Sequence, residues 1–175
     1  VRSFPHFGVS VALVEDGVPT VGAVYDPMRD EVFAAARGHG AFRNGRPIQV
    51  TSRPGLDGAF VTTGFPFRIR RHIDTYLAVF REVHGRAMAI RRPGAAALDL
   101  AHTAAGVFDG FFEFNLSAWD VAAGAVLVRE AGGVVCDLDG NAEIFARGNV
   151  LAAGAGVHRD LVELLRPLCR DQDIC

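Results

Sequence analysis

The stretch "AWDVAAGAVLVREAGG", residues 118–133, does most to decide the fold of this chain. Its apolar residues and the closing Gly132-Gly133 pair predict a helix over residues 119–131, because glycine commonly follows the last turn of a helix. Asp120 falls in the first turn of that helix, directly after the only tryptophan, Trp119. The sequence therefore places one carboxylate at the amino end of an apolar helix.

Asp120 admits two interpretations. A carboxylate in the first helical turn can cap free backbone N–H groups and complement the helix dipole. Alternatively, the small apolar residues at positions 121–124 indicate a buried helix, and a buried carboxylate needs a cation or several hydrogen-bond donors. Spacing alone leaves both interpretations open. The second interpretation would make Asp120 a metal ligand.

The first part of the chain has the pattern of successive β-hairpins. Residues 7–27, "FGVSVALVEDGVPTVGAVYDP", predict two strands joined by a tight turn at Asp16-Gly17. Further turns follow at residues 38–40 and at Asn44-Gly45. Such a series predicts an antiparallel sheet.

Strands and helices alternate after residue 57. We therefore predict two domains, residues 1–57 with the antiparallel hairpins and residues 58–175 with an α/β arrangement. No internal repeat or low-complexity tract interrupts the chain.

Two further segments carry candidate site residues. In "FFEFN", residues 111–115, strand alternation places Phe111 and Glu113 on one face. That face is either a solvated strand surface or the carboxyl end of a strand, where ligands collect in open α/β sheets. In "RRPGAAALDL", residues 91–100, Gly94 and Ala95 stand where a loop enters a helix, so its first N–H groups could bind an anionic or polyhydroxyl ligand.

Composition excludes several classes of protein. Half of the residues are hydrophobic, 22% are charged and the net charge is −2, which predicts a globular chain and argues against a nucleic-acid surface. No apolar run reaches the roughly 18 residues that a membrane span needs. The three cysteines fit no disulfide or zinc pattern, so we predict reduced thiols in a cytoplasmic protein. The chain has no P-loop, dinucleotide fingerprint or G-x-S-x-G motif.

"WDVAAGAVLVREAGG", residues 119–133, resembles the second signature of the inositol monophosphatase family, W-D-x-A-A-G-x-x-x-x-x-E-A-G-G. The similarity extends over almost the whole chain, including "RRPGAAALDLAHTAAGVFDGFFE" and "NVLAAG". The resemblance implies a layered αβαβα sandwich of the α+β class, with an antiparallel sheet followed by a smaller mixed α/β part. It also implies a Mg²⁺-dependent phosphatase.

The resemblance also assigns the metal ligands. The family holds its metals with a glutamate, with both aspartates of a D-P-x-D-G-T motif and with the aspartate of W-D. Only the last is present here, as Asp120. We therefore expect the first third of the protein to precede Val1, residues 1–57 to be the remainder of an N-terminal α+β domain, and this fragment alone to be inactive. The complete protein would bind two or three Mg²⁺ ions.

The same resemblance assigns the substrate site. Glu113 resembles the glutamate that binds a substrate hydroxyl, and Gly94, Ala95 and Ala96 align with a G-[ST]-A stretch of the substrate pocket. Ala95 replaces the hydroxyl residue of that stretch, so one side-chain hydrogen bond is lost. The implied activity is hydrolysis of inositol monophosphate or a similar small polyol or sugar phosphate.

Other functions remain open on the same fold. They include histidinol-phosphate, fructose-bisphosphate and nucleotide phosphatases, and a non-catalytic regulatory homologue associated with RNA polymerase. The family resemblance implies a homodimer, and we expect neither a membrane nor a nucleic acid as a partner.

Overall fold

The computed structural model describes residues 3–65 and 73–169. Within these residues the chain forms ten strands and four helices, arranged as two five-stranded sheets and two helical layers. The strands are β1 (Val9–Glu15), β2 (Val18–Asp26), β3 (Glu31–Ala36), β4 (Ala41–Arg43), β5 (Arg46–Pro47), β6 (Phe60–Thr63), β7 (Ala89–Arg91), β8 (Gly110–Glu113), β9 (Val134–Cys136) and β10 (Val150–Ala153). The helices are α1 (Ile73–Arg86), α2 (Ala96–Ala104), α3 (Ala118–Glu130) and α4 (Ala155–Cys169).

The first sheet is a simple antiparallel meander in the order β1-β2-β3-β4-β5. The turn between β1 and β2 is made by Asp16 and Gly17, both with positive φ, at 50° and 78°. Asn44 and Gly45 repeat this conformation between β4 and β5. Positive φ at both central residues is what a two-residue hairpin turn requires, and Asp-Gly and Asn-Gly adopt it at little cost. The predicted hairpins are confirmed.

The second sheet is mixed, in the order β7-β6-β8-β10-β9. Strand β6 runs parallel to β7 and to β8, whereas β10 runs antiparallel to β8 and to β9. The antiparallel sheet followed by a mixed α/β part, which the resemblance implied, is therefore confirmed. The division into domains at residue 57 stays a prediction.

Helices α2 and α3 lie between the two sheets, and α1 and α4 cover the far face of the second sheet. Two glycines allow the inner layers to approach closely. A Cβ on Gly22 of β2 would lie 2.6 Å from the Ala123 carbonyl oxygen of α3, and one on Gly124 would lie 2.4 Å from Leu100 Cβ of α2. The order of layers is therefore sheet, helices, sheet, helices, and it places the starts of α2 and α3 beside the second sheet.

None of the helices in the described part of the chain is both long and apolar enough to cross a bilayer.

Candidate functional site

A cleft of about 220 Å³ opens where the carboxyl ends of β6 and β8 meet the amino ends of α2 and α3. Carboxyl ends of parallel strands are where ligands bind in α/β sheets. The structure brings all five predicted site residues into this one cleft: Asp120, Glu113, Gly94, Ala95 and Ala96. Gly64 and Arg92 also line it.

Asp120 caps its own helix. Helix α3 begins at Ala118, one residue earlier than predicted, and Ser117 is its N-cap. The backbone N–H of Ser117 donates to Asp120 Oδ2 at 2.9 Å, in a capping box. This bond engages one carboxylate oxygen, and a carboxylate has about four acceptor sites, so the cap leaves capacity for a cation. The capping interpretation is confirmed, and the role as metal ligand stays a prediction.

Asp120 is half-buried, and its neighbour Trp119 exposes 69% of its surface. The tryptophan therefore does not fill the core. It lies at the surface, next in sequence to a residue that lines the cleft.

Glu113 ends β8 and is only 8% exposed. The predicted alternation is confirmed, since Phe111 packs in the cluster with α2 and α3 whereas Phe112 and Phe114 pack in the cluster with α1 and α4. The solvated-face interpretation is wrong, because α2 covers that face. A Cβ on Gly64 would lie 2.0 Å from Glu113 Oε1, so the carboxylate rests against the Gly64 backbone.

Burial and, to a smaller extent, the charge of Asp120 raise the pKa of Glu113 to about 7, while Arg92 opposes the shift. Two carboxylates that face one cleft disfavour each other's ionised form. A cation between them would favour the ionised form of both. The electrostatics of the cleft therefore suit a positively charged ligand.

The amino end of α2 opens at the cleft without a side-chain cap. Ala95 is the N-cap and has no side chain that could accept a hydrogen bond, while Gly94 adopts a positive φ of 99°. The first N–H groups of a helix have no partner within it, and together with the helix dipole they favour an anion or a ligand oxygen. The predicted helix start is confirmed at Ala95 and Ala96.

Two backbone N–H groups, of Asn115 and Leu116, fix the segment that joins Glu113 to Asp120 by hydrogen bonds to residues 148–149, and we call this pair of bonds the latch. Asn115 has a positive φ of 58°, and its N–H donates to Asn149 Oδ1 at 3.1 Å. The Leu116 N–H donates to the Gly148 carbonyl oxygen at 2.7 Å. Sequence analysis missed Gly148 and Asn149, and the Gly-Asn pair before β10 was the one available signal.

Sequence analysis also missed Asp99, a fully buried carboxyl group in the first turn of α2. Its signal was an acidic residue within the apolar run "AALDLAH". Among the residues that the structure describes, no three His, Cys, Asp or Glu side chains form a group able to hold a metal ion.

The sequence matches the model of the inositol monophosphatase family over residues 1–171. The chain belongs to this family. It is 46% identical over 169 residues to the Nus factor SuhB of Pseudomonas aeruginosa, covering 95% of this chain and 62% of the relative. The chain thus spans less than two thirds of the length of this relative.

Solved structures of inositol monophosphatases have the same fold as this chain. The inositol monophosphatase from Anabaena is 42% identical, with a TM-score of 0.90 over 95% of this chain and 69% of that one. An inositol monophosphate-bound SaIMPase-II is 26% identical, with a TM-score of 0.80 over 91% of this chain and 63% of that one. The family resemblance and its layered fold are confirmed.

Proposed function

We propose that the complete protein is a Mg²⁺-dependent phosphomonoesterase acting on inositol monophosphate or a similar small polyol or sugar phosphate. The supporting observation is that Asp120, Glu113 and the uncapped amino end of α2 line a single cleft. Asp120 suits a cation, Glu113 suits a substrate hydroxyl, and the amino end of α2 suits a phosphate. A relative with inositol monophosphate bound supports the class of substrate.

Asp120 fits a magnesium site as one ligand. Mg²⁺ prefers hard oxygen ligands and is commonly bound through one or two carboxylates. Asp120 offers a half-buried carboxylate at the cleft, and its charge raises the pKa of Glu113. One carboxylate cannot hold a cluster of ions, so the proposal requires further ligands from outside the described residues.

The residues of this chain would bind an ion and the phosphate and would orient the alcohol portion of the substrate. Bound Mg²⁺ polarises phosphoryl oxygens, lowers the pKa of bound water and stabilises the leaving alkoxide. Asp120 would hold an ion on the side of the leaving group. Glu113 would accept hydrogen bonds from hydroxyls of the alcohol portion, and the free N–H groups at the start of α2 would bind ligand oxygens.

Ala95 bears on the choice of substrate. It lines the cleft with a methyl group where the family pattern has a hydroxyl side chain. A pocket that lacks this hydrogen bond discriminates less strongly for a particular hydroxyl pattern. We therefore propose a broader preference among polyol and sugar phosphates.

Phosphate release tests the proposal. The complete protein should release phosphate from inositol 1-phosphate with Mg²⁺ and not with a chelator, whereas the 175-residue chain alone should be inactive. Histidinol phosphate, fructose 1,6-bisphosphate and a nucleoside monophosphate serve as rival substrates. Rapid turnover by the 175-residue chain would contradict the requirement for outside ligands, and a strong preference for a rival would replace the substrate.

A second candidate is a regulatory role, which the name Nus factor SuhB of the Pseudomonas aeruginosa and Escherichia coli relatives favours. The regulatory role is separated from the phosphatase activity by comparing how the complete protein and its Asp120→Asn variant bind RNA polymerase. Binding that survives the substitution would show that such a role is independent of the phosphatase site.

A homodimer and a cytoplasmic location also remain proposals, and light scattering after gel filtration tests the homodimer.

Gly64→Ala should raise KM for inositol 1-phosphate by about tenfold, which corresponds to the loss of one good hydrogen bond. The new Cβ would overlap the Glu113 carboxylate, whose flexible end must then leave its place against β6. Steady-state kinetics of the complete protein measure the effect. Gly85→Ala is the matched control, because its Cβ meets no atom within 4 Å. Equal KM values for both variants would contradict the role of Glu113.

A further inference from the structure

The Asp99 carboxyl group is an anomaly in the apolar layer between the sheets. It is fully buried, and neither of its oxygens has a hydrogen-bond partner among the described residues. The hydroxyl of Thr62 on β6 is also buried without a partner there. An ionised carboxylate in such a place would be very costly, since buried charges are stable only when they are paired.

Asp99, Thr62 and Glu113 lie together beneath the cleft. Thr62 pairs with Phe111 in the β6–β8 register, and Glu113 follows two residues later, so Thr62 and Glu113 point to the same face of the sheet. Helix α2, which carries Asp99, packs on that face. We call these three residues the base of the cleft.

The charges around the base compensate Asp99 poorly. Glu113 from β8 acts on it repulsively, and among the residues that the structure describes Arg92, from an exposed position in the loop before α2, acts on it favourably. Burial and the charge of Glu113 together raise the pKa of Asp99 to about 8. The Thr62 hydroxyl is near enough to oppose this shift, although it does not reach the geometry of a hydrogen bond.

We propose that Asp99 is a positioning residue that stays an uncharged acid, so that Glu113 is the group that ionises at the base of the cleft. The inference deepens the proposed function, because it concerns the residue that would orient the substrate hydroxyls. An uncharged Asp99 removes the repulsion that would otherwise displace the Glu113 carboxylate from Gly64. It also places one O–H donor in a layer that has acceptors on β6 and β8.

The charge state is tested by heat unfolding of the Asp99→Asn variant. Asparagine has the same shape and stays uncharged. The folded pKa of Asp99 lies above its unfolded value of 3.8, so the contribution of Asp99 to wild-type stability falls as the pH rises from about 4 to about 8 and is level above that. The Asp99→Asn variant lacks this contribution. Its advantage in Tm over the wild type should grow up to pH 8 and reach at least about 5 °C.

Asp109→Asn is the matched control. Asp109 is also buried, but its Oδ2 accepts from Arg53 Nε at 3.1 Å and from the Phe60 N–H at 2.8 Å. This variant should lose stability, opposite in sign to Asp99→Asn at pH 8. If Asp99→Asn instead shows the pH dependence of the wild type, or loses stability at pH 8, Asp99 is charged and paired and the proposal is overturned.

Kinetics of the complete protein test the positioning. Asp99→Asn should keep KM for inositol 1-phosphate within about threefold, whereas Asp99→Leu should raise it about tenfold with a smaller change in kcat. Equal KM values for Asn and Leu would overturn the positioning role. If the wild type releases no phosphate from any substrate, the proposed function fails, and the unfolding experiment still decides whether Asp99 is uncharged.

Discussion

Asp120→Asn in the complete protein is expected to lower kcat for Mg²⁺-dependent phosphate release at least about a hundredfold. Asparagine keeps an oxygen that can accept the Ser117 N–H, so the cap of α3 should persist. It removes the negative charge, which is what a divalent cation requires at this position. The rate at saturating substrate and a Mg²⁺ titration measure the loss.

Asp30→Asn is the matched control for that substitution. Asp30 lies in the β2–β3 turn, does not line the cleft and already has a positive φ of 52°, a conformation that asparagine tolerates well. Its rate should equal that of the wild type. If Asp120→Asn also retains a near-normal rate, Asp120 is a helix cap only, and the metal site must be sought elsewhere.

Gly148→Ala is expected to destabilise the chain by roughly 3 kcal/mol or more, because it combines backbone strain with a steric clash. Gly148 has a φ of 66°, and a Cβ there would lie 1.8 Å from the Leu116 carbonyl oxygen. Since backbone cannot move aside as a side chain can, the latch between the 148–149 segment and residues 115–116 must open. Urea unfolding measures the loss.

Gly132→Ala separates the clash from the strain. Gly132 follows α3 with a φ of 83°, but a Cβ there meets nothing within 4 Å. Its cost should be about 1 kcal/mol, the ordinary penalty for a left-handed alanine. Similar losses in the two variants would mean that the Leu116–Gly148 contact contributes no stability beyond its backbone conformation.

Local signals predicted the elements of the fold correctly. Asp16-Gly17 and Asn44-Gly45 form the expected turns, because these pairs favour positive φ whatever surrounds them. Helix α3 ends just before the expected glycines, and each of its ends differs from the prediction by one residue. Capping residues and glycines act over a few positions, so their effects can be read from the sequence.

Burial of particular polar groups could not be predicted in the same way. Strand alternation placed Glu113 on the correct face, but whether that face meets water depends on the packing of α2 against it, which strand alternation does not show. Asp99 is buried because α2, which carries it, packs against that same face. The latch of Asn115 and Asn149 joins positions 34 residues apart.

By itself the sequence determined the hairpins, the helices and the family to which the chain belongs, because local backbone preferences and a fifteen-residue signature are contained in contiguous residues. Only the tertiary structure decided that Asp120 both caps a helix and lines the same cleft as Glu113, and that Asp99 lies beneath them without a hydrogen-bond partner among the described residues. The electrostatic cost of a carboxylate depends on which segments exclude water from it, and those segments meet only when the layers pack.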